Sequence, residues 1–223
     1  DANSGLGDLV HRLMTQTNAH VIAMTGSYFR GDGVPVLRPD DENRFYPVTY
    51  NYYEQLNGYR YLKSLGIGYH FYQGAYLTAI MEVLDLTKKT IIHIPSVNSR
   101  ASTGDKYDEV KQIIDKIGET VDVNYETRIY TVRTPNGQML KIADLVEDNP
   151  RERLQLQAFL QRMHSPDAVD IIIALGTAKE GFDWQWCEHC LTIGVRGSLT
   201  EVVQIIGRCT RDCEGKSHAQ FTN

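Results

Sequence analysis

The chain has 223 residues, 42% of them hydrophobic, which is enough to bury a real core and allows one or two domains. Its formal charge of −5 excludes nucleic-acid binding driven by bulk positive charge, although a protein that tracks a backbone can use local amides, hydroxyls and helix N-termini instead. The longest apolar runs, Asp170 to Leu175 and Thr90 to Ile94, are too short to span a bilayer, and no stretch has the character of a signal peptide. A cytoplasmic protein with no membrane partner is expected.

In chain order, Leu6, Leu9, Val10, Leu13 and Met14 recur at helical spacing, and His20 to Met24 reads as a short buried strand. Gly31 to Arg44, rich in Gly, Pro and Asp, reads as a loop and a boundary between lobes. Val48 to Tyr52 alternates as a strand does, inside a run dense in tyrosine (Tyr46, Tyr50, Tyr52, Tyr53, Tyr59, Tyr61, Tyr69, Tyr72, Tyr76). Such tyrosines can stack on unpaired bases, but packing of helix against sheet is the expected use. A helix over Gln73 to Leu86 then leads into a strand over Thr90 to Ile94, closed by Pro95.

Asp105 to Ile117 is an amphipathic helix with Val110, Ile113, Ile114 and Ile117 inward. Arg128 to Val132 and Gln138 to Ile142 flank the turn signal Pro135-Asn136-Gly137, a hairpin between helix and strand. Pro150 opens another helix, Val169 to Leu175 and Leu191 to Val195 read as buried strands, and Leu199 to Ile206 opens a last helix. Alternation of strand and helix is the doubly wound α/β pattern.

Four stretches carry chemistry. Gln204-Ile205-Ile206-Gly207-Arg208-Cys209-Thr210-Arg211 sets two arginines three apart, with a glutamine one turn earlier, so that one helical face can reach a polyphosphate. Upstream stand Thr25-Gly26-Ser27 after an apolar run, Ile91-Ile92-His93-Ile94-Pro95-Ser96, and Ala174-Leu175-Gly176-Thr177-Ala178-Lys179-Glu180-Gly181-Phe182-Asp183. In this order the stretches resemble motifs VI, III, IV and V of superfamily 2 DExH/DEAD-type ATP-dependent helicases, closest to the restriction-enzyme-like branch.

The resemblance implies an α/β fold: a RecA-like parallel sheet flanked by helices, here with an inserted β-hairpin of unknown role. It implies that residues 1–44 are the end of a first RecA-like lobe with its linker, and 45–223 a second lobe. Arg208 and Arg211 are then arginine fingers, with Gln204 near the γ-phosphate; Gly181 and Asp183 reach ATP; Ser96 and Thr177 meet the nucleic-acid backbone, which Asn98 and Arg100 extend; Thr25 and Ser27 couple nucleotide state to lobe movement. ATP and Mg are implied as cofactors, bound mainly by the first lobe, and nucleic acid, DNA rather than RNA, as the partner. The sequence departs from the fuller pattern in having Ile205 where a further arginine is expected.

A Walker A loop and a magnesium-binding Asp-Glu pair are missing. Gly215-Lys216-Ser217 mimics the end of a Walker A loop, but Thr210 stands where its first glycine belongs, and it follows rather than precedes the other motifs. The chain therefore reads as a helicase fragment, silent by itself. The alternatives are a non-catalytic nucleic-acid-binding or regulatory module of the same fold, and a zinc-stabilised module built on Cys187-x-x-Cys190 and Cys209-x-x-x-Cys213 with His189. Packing as small buried thiols is the expected role of those cysteines, and no metal is expected.

Overall fold

The computed structural model describes residues 5–24, 37, 39–146, 148–175, 183–196 and 198–223. In chain order they form α1 (Gly5–Gln16), α2 (Pro39–Glu42), α3 (Tyr52–Gly58), β1 (Ser64–Gly68), α4 (Tyr76–Val83), β2 (Thr90–Ile94), α5 (Lys106–Ile117), β3 (Glu119–Asn124), β4 (Ile129–Arg133), β5 (Met139–Asp144), α6 (Pro150–Gln161), β6 (Ile171–Leu175), β7 (His189–Thr192), α7 (Leu199–Cys209) and β8 (His218–Thr222). The chain divides into two compact units, Asp1–Gln55 with Arg196–Gln204, and Leu56–Val195 with Ile205–Asn223.

The larger unit holds one eight-stranded sheet in the order β1-β8-β7-β2-β6-β5-β4-β3. Strands β1 through β5 of that order run parallel to their neighbours, and β4 and β3 are added antiparallel. This mixed, mostly parallel sheet flanked by helices is the α/β class expected from the sequence. The central strand β2 is buried at all five residues, as a parallel strand covered on both faces must be. Ile92 and Ile94 of β2 and Ile171 and Ile173 of β6 face a cluster with Leu77 and Ile80 of α4 and Val110, Ile113, Ile114 and Ile117 of α5.

The α5 helix begins where Asp105 accepts hydrogen bonds from the amides of Tyr107 and Asp108, an ordinary N-cap. It ends at Gly118, where a Cβ would sit 2.1 Å from the carbonyl oxygen of Arg133, so only glycine lets the chain pass into β3 this close to β4. The β4–β5 turn closes as the sequence predicts, with Gly137 at φ 86 and its amide donating to Thr134. The expected hairpin is, however, no separate insertion. Its strand β5 pairs in parallel with β6, and the unpredicted β3 adds a third strand, so the segment extends the main sheet.

In the smaller unit, His20 to Met24 is not a strand. Ile22 and Met24 are exposed, and no described strand pairs with this segment, so its backbone has no ladder to join. Val48 to Tyr52 is likewise not a strand; Val48 is exposed, and Tyr52 instead opens α3. Within this unit His11 Nδ1 lies 2.6 Å from Asp41 Oδ1, and the Tyr52 hydroxyl donates to the carbonyl of Val203 at 3.1 Å.

His189, on β7, is buried with Nε2 3.0 Å from the Thr222 hydroxyl. Burial pushes its imidazole from 6.5 down to about 4, with Asp85 opposing weakly. The unfolded chain takes up this proton near pH 6.5 and the folded chain does not. Stability from this group is therefore fully present above pH 6.5 and is lost as the pH falls toward 4, by about 3 kcal/mol in all. Urea unfolding between pH 7.5 and 4.5 is expected to show that decline, and His189→Gln to flatten it; an unaltered slope in the variant counts against the assignment.

Candidate functional site

The parallel strands place their following loops along one edge of the larger unit, which is where open α/β sheets bind ligands. Ser96 lies exposed in the loop after β2, past the buried Pro95. Its carbonyl accepts from the Ser99 amide at 2.8 Å, which turns the loop sharply. The far end of this loop is held by the buried carboxylate of Glu109 on α5. That group accepts from the Ser102 hydroxyl at 2.5 Å, the Thr103 amide at 2.5 Å and hydroxyl at 3.1 Å, and the Tyr76 hydroxyl at 2.7 Å. Burial, reinforced by this partner, pushes the Tyr76 hydroxyl far above its ordinary range, so it serves as a donor.

The Gln204–Arg211 stretch occupies the end of α7 and the turn after it. Ile205, Ile206, Cys209 and Thr210 are buried, whereas Gln204 and Arg211 are exposed and Arg208 is half-buried. Gln204 and Arg211 are thus open to solvent and Arg208 partly so. One expectation needs correction: the two arginines do not share a helix, because α7 stops at Cys209. The Thr210 amide makes the last helical bond, to the Ile206 carbonyl, and the Lys216 ammonium then satisfies the Cys209 carbonyl at 3.3 Å from outside the helix, which stops before Arg211.

Arg211 Nε lies 3.3 Å from Asp183 Oδ1. The structure thus brings together the last residues of the two C-terminal motif-like stretches. Thr25, Ser27, Thr177 and Gly181 lie outside the described residues.

Lys216, the lysine of the Walker-like Gly-Lys-Ser, is buried and donates to the carbonyls of Gln185 (2.6 Å), Cys187 (3.1 Å) and Cys209. An ammonium has three N–H donors, and three carbonyls occupy them, so none is left for a phosphate. Glu109 and Asp212 escape sequence reasoning, and Lys216 enters it only as a mimic of a Walker lysine. Each is a charged residue with no periodic signal, and only the fold shows the backbone groups it meets.

The cysteines Cys187, Cys190, Cys209 and Cys213 are all free and buried. Cys187 and Cys190 have their sulfurs 3.8 Å apart, but Cys190 donates to the Ile205 carbonyl and Cys209 to that of Ile206. Burial pushes the Cys190 thiol well above its usual range, which keeps it protonated. Among the described residues no group of three or more His, Cys, Asp or Glu side chains is placed to hold a metal ion.

The tyrosines depart from the packing expected of them. Tyr76 is core, but Tyr46, Tyr50, Tyr53 and Tyr69 are between 66% and 89% exposed, available for stacking rather than spent on helix–sheet contacts. Among the described residues no helix is long and apolar enough to cross a membrane.

Replacing Glu109 by alanine removes the acceptor of four hydrogen bonds at once, one of them from the buried Tyr76 hydroxyl. Glu109→Ala is expected to lower the unfolding free energy by about 3 kcal/mol and to speed amide exchange at Thr103, with Glu109→Gln milder because it still accepts. Denaturant unfolding and hydrogen exchange measure both; wild-type protection at Thr103 in the alanine variant contradicts the clamp.

No family model matches the chain. A Bacillus subtilis (strain 168) protein described as "Putative ATP-dependent helicase YeeB" is 61% identical over 224 residues, a match that covers 100% of this chain and 37% of the relative. A solved structure of Mss116p (NTE and C-tail double deletion) bound to ssRNA and AMP-PNP is similar over 72% of this chain and 27% of that one, at 16% identity and a TM-score of 0.40, too slight a likeness to carry argument. The chain is thus similar to that relative over its whole length, and it spans 37% of the relative's length.

Proposed function

We propose that this chain is the second RecA-like lobe, with the end of the first, of an ATP-dependent helicase or translocase that moves along a nucleic-acid strand, DNA rather than RNA. Residues 1–44 end the first lobe and 45–223 form the second. The observation that carries the reading is the meeting of Arg211 and Asp183 at 3.3 Å on an exposed surface, with Arg208 in the last turn of α7 shortly before Arg211 in sequence. An exposed guanidinium held only by a weak surface carboxylate can turn to a nucleotide polyphosphate, which approaches from a partner that supplies the cradle. The Lys216 contacts support this division of labour, since the one Walker-like lysine here is committed to carbonyls.

In this reading ATP with Mg supplies the phosphoanhydride bond whose hydrolysis resets the motor. Arg208 and Arg211 neutralise charge that develops on the transferred phosphoryl group, Gln204 sits near the γ-phosphate, and Asp183 and Gly181 hold the nucleotide's flank. Ser96 and Thr177 grip backbone phosphates from loops at the sheet edge, and Thr25 and Ser27 pass the nucleotide state between lobes. The acidic overall charge is compatible with this, because contact by hydroxyls and amides needs no basic face.

The chain by itself is expected to show no ATPase above background. In the whole protein, Arg211→Ala is expected to lower kcat by at least ~10²-fold with KM for ATP changed far less, and Arg208→Ala to act similarly but less strongly. Steady-state ATPase assays decide this, and an unchanged kcat in Arg211→Ala removes the finger assignment.

Ser96→Ala and Thr177→Ala are expected to weaken binding to strands of different sequence about equally and to reduce nucleic-acid stimulation while basal ATPase stays near wild type. Fluorescence titration with several oligonucleotides tests it. A loss that depends on base sequence contradicts the backbone role.

A further inference from the structure

The connection from α7 to β8 is short, residues 210–217, and it carries Arg211. Two charged side chains in it are turned inward onto backbone. The carboxylate of Asp212 accepts three successive amides, Arg60 at 2.8 Å, Tyr61 at 3.0 Å and Leu62 at 2.9 Å, just before β1 begins. Partial burial alone raises the pKa of its carboxyl, but the amides of Leu62, Arg60 and Tyr61 outweigh this and hold it below its usual range. Four residues on, the Lys216 ammonium binds three carbonyls: Gln185 and Cys187, just beyond Asp183, and Cys209, the last residue of α7.

Between these anchors the chain makes a tight turn, with Gly215 at φ 85 and the Lys216 amide donating to the Cys213 carbonyl at 3.1 Å. The next residue enters the β1–β8 ladder, where the Lys63 amide donates to the Ser217 carbonyl at 2.9 Å. The backbone of Arg211 is therefore bounded on one side by Thr210, tied back to Ile206, and on the other by Asp212, tied to the start of β1. Its side chain is left exposed.

We propose that Asp212 and Lys216 are positioning residues: acting only through backbone groups, they set where Arg208 and Arg211 stand relative to Asp183 and so govern the use of the arginines in ATP hydrolysis. This rests on the reading of Arg208 and Arg211 as arginine fingers. Asp212 fixes the segment that follows Arg211 to the sheet edge. Lys216 joins the end of α7 to the stretch beyond Asp183, so the two arginine-bearing turns and the aspartate share one rigid frame. A guanidinium that must meet a developing charge within hydrogen-bond distance loses rate steeply if its backbone drifts by an ångström.

The test uses the whole protein with Asp212→Ala, Asp212→Asn, Lys216→Met and Lys216→Arg, each also made in an Arg208→Ala/Arg211→Ala background. Asp212→Ala and Lys216→Met are expected to lower kcat about 10-fold or more with KM for ATP within about 3-fold, as interactions used in the transition state do. Asp212→Asn and Lys216→Arg, which keep an acceptor and donors respectively, are expected to recover most of the rate. In the arginine-less background the same changes are expected to cost less than about 2-fold, because nothing remains to be positioned.

Wild-type kcat in Asp212→Ala and Lys216→Met overturns the proposal, and so does a loss that recurs undiminished without the arginines, which marks a merely structural effect. If the double arginine variant itself turns over at the wild-type rate, the finger reading has failed, and that outcome is visible separately. Amide hydrogen exchange on this chain keeps the test decisive if turnover falls below detection: Asp212→Ala is expected to expose the amides of Tyr61 and Leu62, and unchanged protection there overturns the anchor.

Discussion

Every functional assignment in the larger unit depends on the burial of β2. All five of its residues are enclosed, as are four of the five in β6 beside it, so neither strand can present chemistry to solvent. Whatever these strands position must sit in the loops beyond them, and those loops must be held by something other than the hydrophobic core. Apolar packing sets the height and twist of the sheet but cannot fix a polar loop to within the tolerance that phosphate contact demands.

That task falls to charged groups turned onto the chain, Glu109 and Lys216 buried and Asp212 partly so. Glu109 gathers the loop after β2, Asp212 gathers the entry to β1, and Lys216 gathers the end of α7 with the stretch leading to β7. Each is satisfied by several partners, and this is what makes burial of a charge tolerable. In each case the loss of one side chain unties more than one element, so its effect on the site exceeds the value of a single hydrogen bond.

The middle of the sheet was legible in sequence and its edges were not. Val110, Ile113, Ile114 and Ile117 repeat at helical spacing behind a capping aspartate, and Thr90 to Ile94 is an unbroken run of strand formers, so α5 and β2 could be read directly. The edge strands β1 and β3 lack such a signal. β3 is Glu-Thr-Val-Asp-Val-Asn and almost wholly exposed, while β1 carries two glycines; an edge strand buries one side at most, so selection for apolar residues is weak there. The converse error arose at His20 to Met24, where Val-Ile-Ala-Met looks like a strand but has no ladder partner among the described residues. In the candidate site the break in the helix before Arg211 was not legible, because the carbonyl at the end of α7 is met by Lys216, which approaches from the next connection.

The contrast between Arg211 and its neighbour Asp212 has a physical consequence for a finger. The Arg211–Asp183 pair is half to mostly exposed, and such pairs contribute at most ~1 kcal/mol, so the guanidinium can leave Asp183 for a polyphosphate at small cost. The side-chain carboxylate of the next residue, Asp212, accepts from three amides at 2.8 to 3.0 Å, which ties the chain there to the entry of β1. Under the proposed function, a freely exchangeable head on a fixed stem is what transition-state stabilisation requires: the stem avoids reorganisation during the chemical step, while the weak resting pair keeps the charge oriented without competing with the nucleotide. Were the pair buried, breaking it would cost several kcal/mol on every cycle and tax each turnover.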